Sequence, residues 1–268
     1  MKIRVITSIV TLPFLIVPIY FGGIYVYVLL FLLSSFGLFE LLRAYKINQK
    51  PVLLIGLVAN GFYYSALWVD SSLYFGIFIT GFILALLMSY VFVYPKVSFQ
   101  DIGITFGGFF YVTYLLSHIV LIRQTDKLGL SFVWLVFLIG FGSDTFAYIV
   151  GKALGKHKLV PGLSPNKTVE GALGGMIGAV LLTAGYGYVL FLNGTFADLS
   201  KIGWLALLGG LGSIVSIIGD LVASAIKRQT GIKDFGNLLP GHGGIIDRFD
   251  SNIFTAPFVY YIMILFIQ

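Results

Sequence analysis

Charged side chains are unusually dense between positions 220 and 250. The 268-residue chain has 17 basic and 11 acidic residues, and eight of these fall in this one window. They are Asp220, Lys227, Arg228, Lys233, Asp234, Asp247, Arg248 and Asp250. Carboxylates bind hard divalent cations, and basic side chains neutralise phosphate oxygens. The mixture therefore predicts a binding site for a phosphate ester with its metal ion.

A glycine-rich turn lies inside the charged window. It reads Pro240-Gly241-His242-Gly243-Gly244. Glycines remove side chains where backbone N–H groups could turn toward an anion. Such turns are common, and the signal gains weight here from the basic residues before it and the acidic residues after it. We interpret the turn as a phosphate cradle in which His242 orients or contacts a phosphate.

The apolar run before this window carries a row of polar residues. Ser213, Ser216, Asp220, Ser224 and Lys227 follow one another at helical spacing, which puts them on one face. In a helix, Asp220 would lie about 10 Å deeper in the membrane than Lys227. A carboxylate at mid-membrane costs about 2.5–3.5 kcal/mol and usually lines a cavity. We predict that Asp220 does so; the alternative is that it lies shallow and caps a neighbouring helix.

Two further segments could contribute to the same site. Asp144 lies inside another apolar run, where it either serves the chemistry or forms a structural hydrogen bond to a neighbouring helix. Downstream, Ser164-Pro165 matches the N-cap and first position of a helix. The N–H groups of such a helix start and the ammonium of the nearby Asn166-Lys167 pair would suit an anion.

The elements that must position these residues are membrane-spanning helices. A mean hydropathy of +0.98 with 58% hydrophobic and only 10% charged residues excludes an ordinary soluble domain. Nine apolar runs are long enough to cross a bilayer. They cover roughly 5–21, 23–42, 52–69, 72–94, 102–122, 129–150, 168–192, 202–226 and 251–267. The sequence therefore predicts an all-α polytopic integral membrane protein with about nine transmembrane helices.

Basic residues orient these helices. If the N-terminus is cytoplasmic, 14 of the 17 basic residues lie on the cytoplasmic side, and only Arg123, Lys127 and Lys201 lie outside. We therefore predict a cytoplasmic N-terminus and a site that faces the cytoplasm, in a protein of the cytoplasmic membrane. The net charge of +6 would attract anionic headgroups or nucleotides. Because there is no soluble basic domain, we expect no nucleic acid partner.

The absence of cysteine limits the metal chemistry. With no cysteine in the chain, thiolate metal sites and a cysteine nucleophile are excluded, and the three histidines lack the spacing of metal ligands. A bound metal should therefore be a hard, oxygen-bound cation.

The distribution of polar residues divides the chain near residue 128. Residues 1–127 are predicted to form N-terminal transmembrane helices that act as a scaffold, a lipid-facing surface or a contact between two copies in a homodimer. Residues 128–268 are predicted to form the catalytic transmembrane helices with their cytoplasmic loops. The sequence leaves the role of the first five helices open among these alternatives.

A longer pattern runs from Ser224 to Asp250. It reads Ser224-Ala-Ile-Lys227-Arg228, then four residues, then Lys233-Asp234-Phe-Gly-Asn-Leu-Leu-Pro240-Gly241-His242-Gly243-Gly244-Ile-Ile-Asp247-Arg248-Phe-Asp250. This pattern closely resembles the signature of the phosphatidate cytidylyltransferases, also called CDP-diacylglycerol synthases. Ser143-Asp144 and the segment 164–171 are similar to the same family, so the resemblance covers roughly residues 140–257.

The resemblance implies a reaction and its substrates. The cytidylyl group of CTP would pass to phosphatidate, giving CDP-diacylglycerol and pyrophosphate with Mg²⁺ required. The lipid phosphate would attack the α-phosphate of CTP in line, with phosphatidate arriving from the bilayer and CTP from the cytoplasm.

The resemblance also assigns roles to individual residues. Asp220 and Asp247 would be the metal ligands, with Asp144 and Asp250 as further candidates. Lys227 and Arg228 would join Asp220 and Asp247 in catalysis. The substrate-binding residues would be Asn166, Lys167, Ser224, Lys233, Gly241, His242, Gly243, Gly244 and Arg248.

Other functions fit parts of the same pattern. A CTP-dependent polyprenol kinase would move the γ-phosphate instead, and a cytidylyltransferase could act on an ether-linked isoprenoid analogue of phosphatidate. A CDP-alcohol phosphotransferase is disfavoured because its paired acidic fingerprint is absent. An anion or nucleotide transporter would distribute charge through the membrane, whereas here the charge gathers at one face.

Overall fold

The computed structural model is almost entirely helical. It describes residues 2–47, 50–69, 72–125, 128–196, 198–238, 241 and 243–267. The helices are α1 (Lys2–Phe21), α2 (Gly23–Ala44), α3 (Pro51–Val69), α4 (Ser72–Phe92), α5 (Phe99–Gly108), α6 (Leu115–Gln124), α7 (Gly129–Leu154), α8 (Val169–Leu192), α9 (Ser200–Thr230) and α10 (Ile246–Ile267). A π-helical segment, Phe109–Tyr114, joins α5 to α6.

The predicted all-α membrane architecture is confirmed. Within the described residues, seven helical stretches are long and apolar enough to cross a membrane. They are Gly23–Ala44, Pro51–Val69, Leu73–Phe92, Phe99–Gln124, Gly129–Leu154, Val169–Leu192 and Ser200–Thr230. Helix α1 contributes a shorter apolar stretch, Thr11–Phe21. The count of nine spans and the cytoplasmic N-terminus stay predictions.

The chain forms two compact units. The first contains residues 1–120 and 230–248, and the second contains residues 121–229 and 249–268. The functional division predicted near residue 128 stays a prediction. The charged loop that follows α9 belongs to the first unit, together with the N-terminal helices.

An aromatic cluster forms the centre of the first unit. The Tyr63 ring, 1% exposed, packs edge-on against Phe109 with centroids 5.6 Å apart, and its hydroxyl lies 2.8 Å from Ser117 Oγ. Edge-to-face packing of this kind adds about 0.5–1.5 kcal/mol to simple burial. The first unit also contains an ion pair, in which Lys50 Nζ lies 2.6 Å from Asp101 Oδ2.

Close contact between α7 and α8 organises the second unit. A Cβ at Gly174 would overlap Val150, and a Cβ at Gly178 would overlap Phe146. Small residues let helices approach closely in a membrane, where the hydrophobic effect does not drive them together. The two helices therefore hold a fixed relative position around Asp144, which lies on α7.

A short β-hairpin connects α7 to α8. Strand β1 (Lys158–Val160) pairs antiparallel with β2 (Ser164–Thr168). The helix start predicted at Ser164-Pro165 is therefore wrong. Thr168 is the N-cap of α8, and its Oγ1 accepts a hydrogen bond from the Gly171 N–H at 3.1 Å. The Ser164 segment pairs with β1, and Thr168 supplies the cap four residues later.

Candidate active site

The second unit contains a polar cavity of about 410 Å³. Helices α7, α8 and α9 and the β-hairpin form its walls. Its charged and amide side chains are Asp144, Lys152, Asn166, Lys167 and Asp220. The prediction that Asp220 lines a cavity is confirmed by this arrangement.

An ion pair joins two walls of the cavity. The Lys167 ammonium, from β2, contacts Asp220 Oδ2, from α9, and each side chain is 24% exposed. Ser224, one turn further along α9, donates from Oγ to Asp220 Oδ1 at 3.4 Å. The predicted substrate-binding residues Lys167 and Ser224 therefore both contact the predicted metal ligand Asp220.

Two more carboxylates lie near Asp220. Asp250, on α10, is only 8% exposed, and its Oδ1 accepts the Ser251 N–H at 2.8 Å. Ser251 Oγ donates to Asp144 Oδ2 at 2.9 Å. Asp250 interacts electrostatically with both Asp220 and Asp144, and Lys227 supplies an opposing positive charge. The structural hydrogen bond considered for Asp144 is thus present, and Asp144 also lines the cavity.

This donor set suits a hard divalent cation. Like charges in a partly buried space repel one another unless a cation offsets them, and all three acids offer the oxygen atoms that Mg²⁺ prefers. Among the described residues, no three His, Asp or Glu side chains form a ready-made metal site. Mg²⁺ usually binds one or two carboxylates and completes its shell with water and substrate phosphates, so the residues present fit this ion.

The glycine-rich turn lies in the first unit. Gly241 and Gly243 have φ angles of 77° and 88°, a left-handed conformation that favours glycine. Asp247 Oδ2, on the first turn of α10, accepts the N–H of Phe235 at 2.7 Å and that of Gly244 at 3.0 Å. The Asp247 carboxylate therefore fixes both sides of the turn. His242 lies outside the described residues, and its role stays a prediction.

A second acidic residue holds the same turn, and the sequence analysis missed it. Glu40, on α2, is 4% exposed, and its Oε2 accepts the Ile246 N–H at 3.2 Å. Arg43, one turn later, donates from Nη2 to the Phe235 carbonyl at 2.6 Å. The signal was available, because Glu40 is the single acidic residue in its apolar run, and such residues are usually functional.

The remaining predicted site residues lie at the surface. Arg228 is exposed in the second unit, where its Nε donates to the Leu163 carbonyl at 3.3 Å, and Asn166 is also exposed but lines the cavity. Lys233 and Arg248 are exposed in the first unit. The second unit thus gathers Asp144, Lys167, Asp220, Ser224 and Asp250, and the first unit gathers the glycines with Asp247. The individual roles assigned to these residues stay predictions.

Known proteins resemble the whole chain. The model of the cytidylyltransferase family matches residues 2–266. Phosphatidate cytidylyltransferase from Bacillus subtilis (strain 168) is 36% identical over 273 residues, which cover 99% of this chain and 98% of the relative. The protein of that name from Staphylococcus epidermidis (strain ATCC 35984) is 35% identical over 274 residues, which cover 98% of this chain and 99% of the relative. The protein of that name from Staphylococcus aureus (strain COL) is 34% identical over 273 residues, which cover 98% of this chain and 99% of the relative. The similarity extends beyond residues 140–257 to the first five predicted spans.

Proposed function

The chain belongs to the cytidylyltransferase family, and from that premise we propose that it transfers the cytidylyl group of CTP to phosphatidate. The products are CDP-diacylglycerol and pyrophosphate, so the protein is a nucleotidyltransferase of phospholipid synthesis. The observation that carries the proposal is the cavity within membrane helices where the Lys167 ammonium meets the Asp220 carboxylate. A lipid phosphate and a nucleotide phosphate would both be neutralised by a basic side chain such as Lys167, and an acidic side chain such as Asp220 could hold the accompanying metal ion.

The reaction exchanges one phosphoanhydride bond for another. A phosphate oxygen of phosphatidate attacks the α-phosphorus of CTP and forms the new P–O bond. The bond from the α-phosphorus to the bridging oxygen breaks, and pyrophosphate leaves with that electron pair. Because the attacking phosphate is already ionised at neutral pH, the protein needs no general base. Positioning and charge stabilisation are then its main contributions.

We assign the basic residues to phosphate contacts. Lys167 lies in the cavity, where its ammonium can neutralise a substrate phosphate. Lys227 and Arg228, in the last turn of α9, would offset the charge that develops on the leaving pyrophosphate. Lys233, Arg248 and the glycine turn would bind phosphate oxygens from the first unit.

The carboxylates of the cavity would hold Mg²⁺. Asp220 is the principal ligand, with Asp144 and Asp250 as its neighbours, and their clustered charge supports this assignment. When bound, Mg²⁺ neutralises phosphate oxygens as charge develops on them. The family resemblance also assigns Asp247 as a ligand. That role stays a proposal, since Asp247 Oδ2 already accepts two backbone N–H groups.

We place the reaction at the cytoplasmic face of the cytoplasmic membrane. The concentration of basic residues on the loops supports this orientation. Phosphatidate would reach the site laterally from the bilayer, and CTP would arrive from the cytoplasm. Assembly as a homodimer through the first five spans is one of the roles left open for them.

Separate labels on CTP test the proposal. Purified protein in mixed micelles is given phosphatidate, Mg²⁺ and CTP labelled on either the α- or the γ-phosphate. Label from the α-position in the lipid, with pyrophosphate released, is the expected result. Lipid label from the γ-position would identify a kinase and overturn the proposal. Failure of folded protein to transfer either label would favour a transporter. Competition between phosphatidate and its ether-linked isoprenoid analogue would then distinguish the lipid substrates.

A further inference from the structure

Two residues of α2 contact both ends of one loop segment. Glu40 accepts backbone N–H groups at the start of α10, from Ile246 at 3.2 Å and also from Ile245. Arg43 donates to the Phe235 carbonyl at 2.6 Å. All of these residues belong to the first unit. The segment from Phe235 to Ile246 is therefore tied to α2 at its beginning and at its end.

Glycines make room for the Glu40 carboxylate. A Cβ at Gly236 would overlap Glu40 Oε1, and a Cβ at Gly244 would overlap Glu40 Oε2. Gly236 precedes the glycine-rich turn and Gly244 is its last residue, and the same carboxylate lies against both. Any side chain at either position would displace Glu40 or the backbone of the turn.

The same segment also contacts Asp247, a residue assigned to the reaction. Phe235 and Gly244 each donate their N–H to Asp247 Oδ2. A shift of the segment would therefore move the Asp247 carboxylate together with the glycine turn. Because a misplacement of about 1 Å can cost about a hundredfold in rate, a rigid anchor for this segment matters to catalysis.

We propose that Glu40 is a positioning residue for cytidylyl transfer, which with Arg43 fixes the Phe235–Ile246 segment and so sets the position of Asp247 and the glycine turn. The proposal rests on the function proposed above. It also gives the N-terminal helices a role in the reaction: α2 anchors the loop that carries the family signature. Within the described part of the chain, Glu40 accepts hydrogen bonds from loop backbone, so we assign it to act through the turn and not on a reacting atom.

Glu40→Gln is the informative substitution. Glutamine keeps the size of the side chain but has a single carbonyl oxygen, so its NH₂ group would face a backbone N–H at the start of α10. A matched control is Asn60→Ala. Asn60 is also fully buried in the first unit and donates to Ser35 Oγ of α2 at 2.7 Å; its other partners, Phe31 and Ser34, are likewise on α2 and not in the Phe235–Ile246 segment. The control shows how a loss of packing elsewhere in the first unit changes the spectrum and the activity.

A spin label reads the loop position directly. The chain contains no cysteine, so Asn237→Cys provides a single attachment point at an exposed position of the segment. In Glu40→Gln, we expect the electron paramagnetic resonance spectrum of this label to gain a mobile component. In Asn60→Ala, we expect the spectrum to stay as in the parent. This measurement needs no substrate, so it decides the positioning role even if the proposed activity were wrong.

Activity supplies the second readout. In protein without the spin-label substitution, Glu40→Gln should lower kcat/KM for CTP by about 10- to 100-fold. Asn60→Ala should lower kcat/KM much less, even if the two variants lose a similar amount of thermal unfolding midpoint. An unchanged spectrum in Glu40→Gln, or equal effects of the two substitutions on spectrum and activity, would overturn the proposal.

If Glu40→Gln does not fold, Arg43→Met removes the other anchor at an exposed position, with Arg43→Lys expected to restore the parent spectrum in part. Inactive parent protein would count against the proposed function alone.

Discussion

The acidic residues that line the cavity of the second unit and those that hold the glycine-rich loop of the first unit have different partners. In the cavity of the second unit, Asp220 contacts the side chains of Lys167 and Ser224, and Asp144 contacts that of Ser251. Around the glycine-rich loop of the first unit, Glu40 of α2 and Asp247 of α10 accept backbone N–H groups. Side-chain partners can rearrange around a substrate, whereas backbone partners fix a loop. The cavity acids are therefore suited to binding ions, and the loop acids to holding geometry.

Removing a cavity acid should have the largest effect on activity. Asp220→Asn removes the negative charge that pairs with Lys167 but keeps the shape of the side chain. We expect turnover to fall by about 100-fold or more, while the thermal unfolding midpoint in detergent changes little. Transfer of α-labelled cytidylyl groups across a Mg²⁺ titration measures this. Activity above a few per cent of wild type with an unchanged Mg²⁺ requirement would remove Asp220 from the proposed metal site.

Removing a loop acid should cost activity and stability together. Asp247→Ala leaves the N–H groups of Phe235 and Gly244 without this acceptor. Each unsatisfied buried N–H costs about 1–3 kcal/mol, so we expect a lower unfolding midpoint as well as loss of turnover. Paired measurements on Asp220→Asn and Asp247→Ala test the contrast. Equal unfolding midpoints for the two variants would contradict the distinction between cavity and loop acids.

Removing the basic partner in the cavity should have a smaller effect. Lys167→Ala takes away a charged hydrogen-bond donor, which contributes about 1.5–3 kcal/mol, so activity should fall by about 10- to 100-fold. Because Lys167 is assigned to phosphate contacts, the Mg²⁺ optimum should stay as in wild type. Initial rates at several Mg²⁺ concentrations check this. A displaced optimum would mean that Lys167 acts through the metal site.

The smallest effect is expected at an ion pair remote from both groups of acids in the sequence. Lys50 and Asp101 pair at 2.6 Å, with their side chains 31% and 10% exposed. Partly exposed pairs contribute about 0–1 kcal/mol, so Lys50→Ala should lower the unfolding midpoint slightly and leave cytidylyl transfer unchanged. Thermal unfolding and the labelled assay measure the two quantities. A clear loss of activity would show that catalysis depends on more of the first unit than the loop and its anchors.

Local patterns predicted the helices and the main cavity residue. Each apolar run predicted as a span overlaps a helix over nearly all of its length, and Asp220 of the predicted polar face lines the cavity. The start of α8 was mispredicted, because Ser164-Pro165 satisfies the local rules for a helix start but pairs with β1. A capping signal is read from a few consecutive residues, and strand β1, which pairs with this segment, lies outside them.

The sequence by itself determined the class of the protein, its apolar helices and the family to which its signature belongs. These properties follow from local causes: apolar residues partition into the bilayer, and a backbone in lipid must satisfy its hydrogen bonds within a helix. Only the tertiary structure decided that Lys167 pairs with Asp220 and that Glu40 holds the loop near Ile246. Glu40 and Ile246 are 206 residues apart in the sequence, and their contact depends on which helices pack together. No local spacing records that packing.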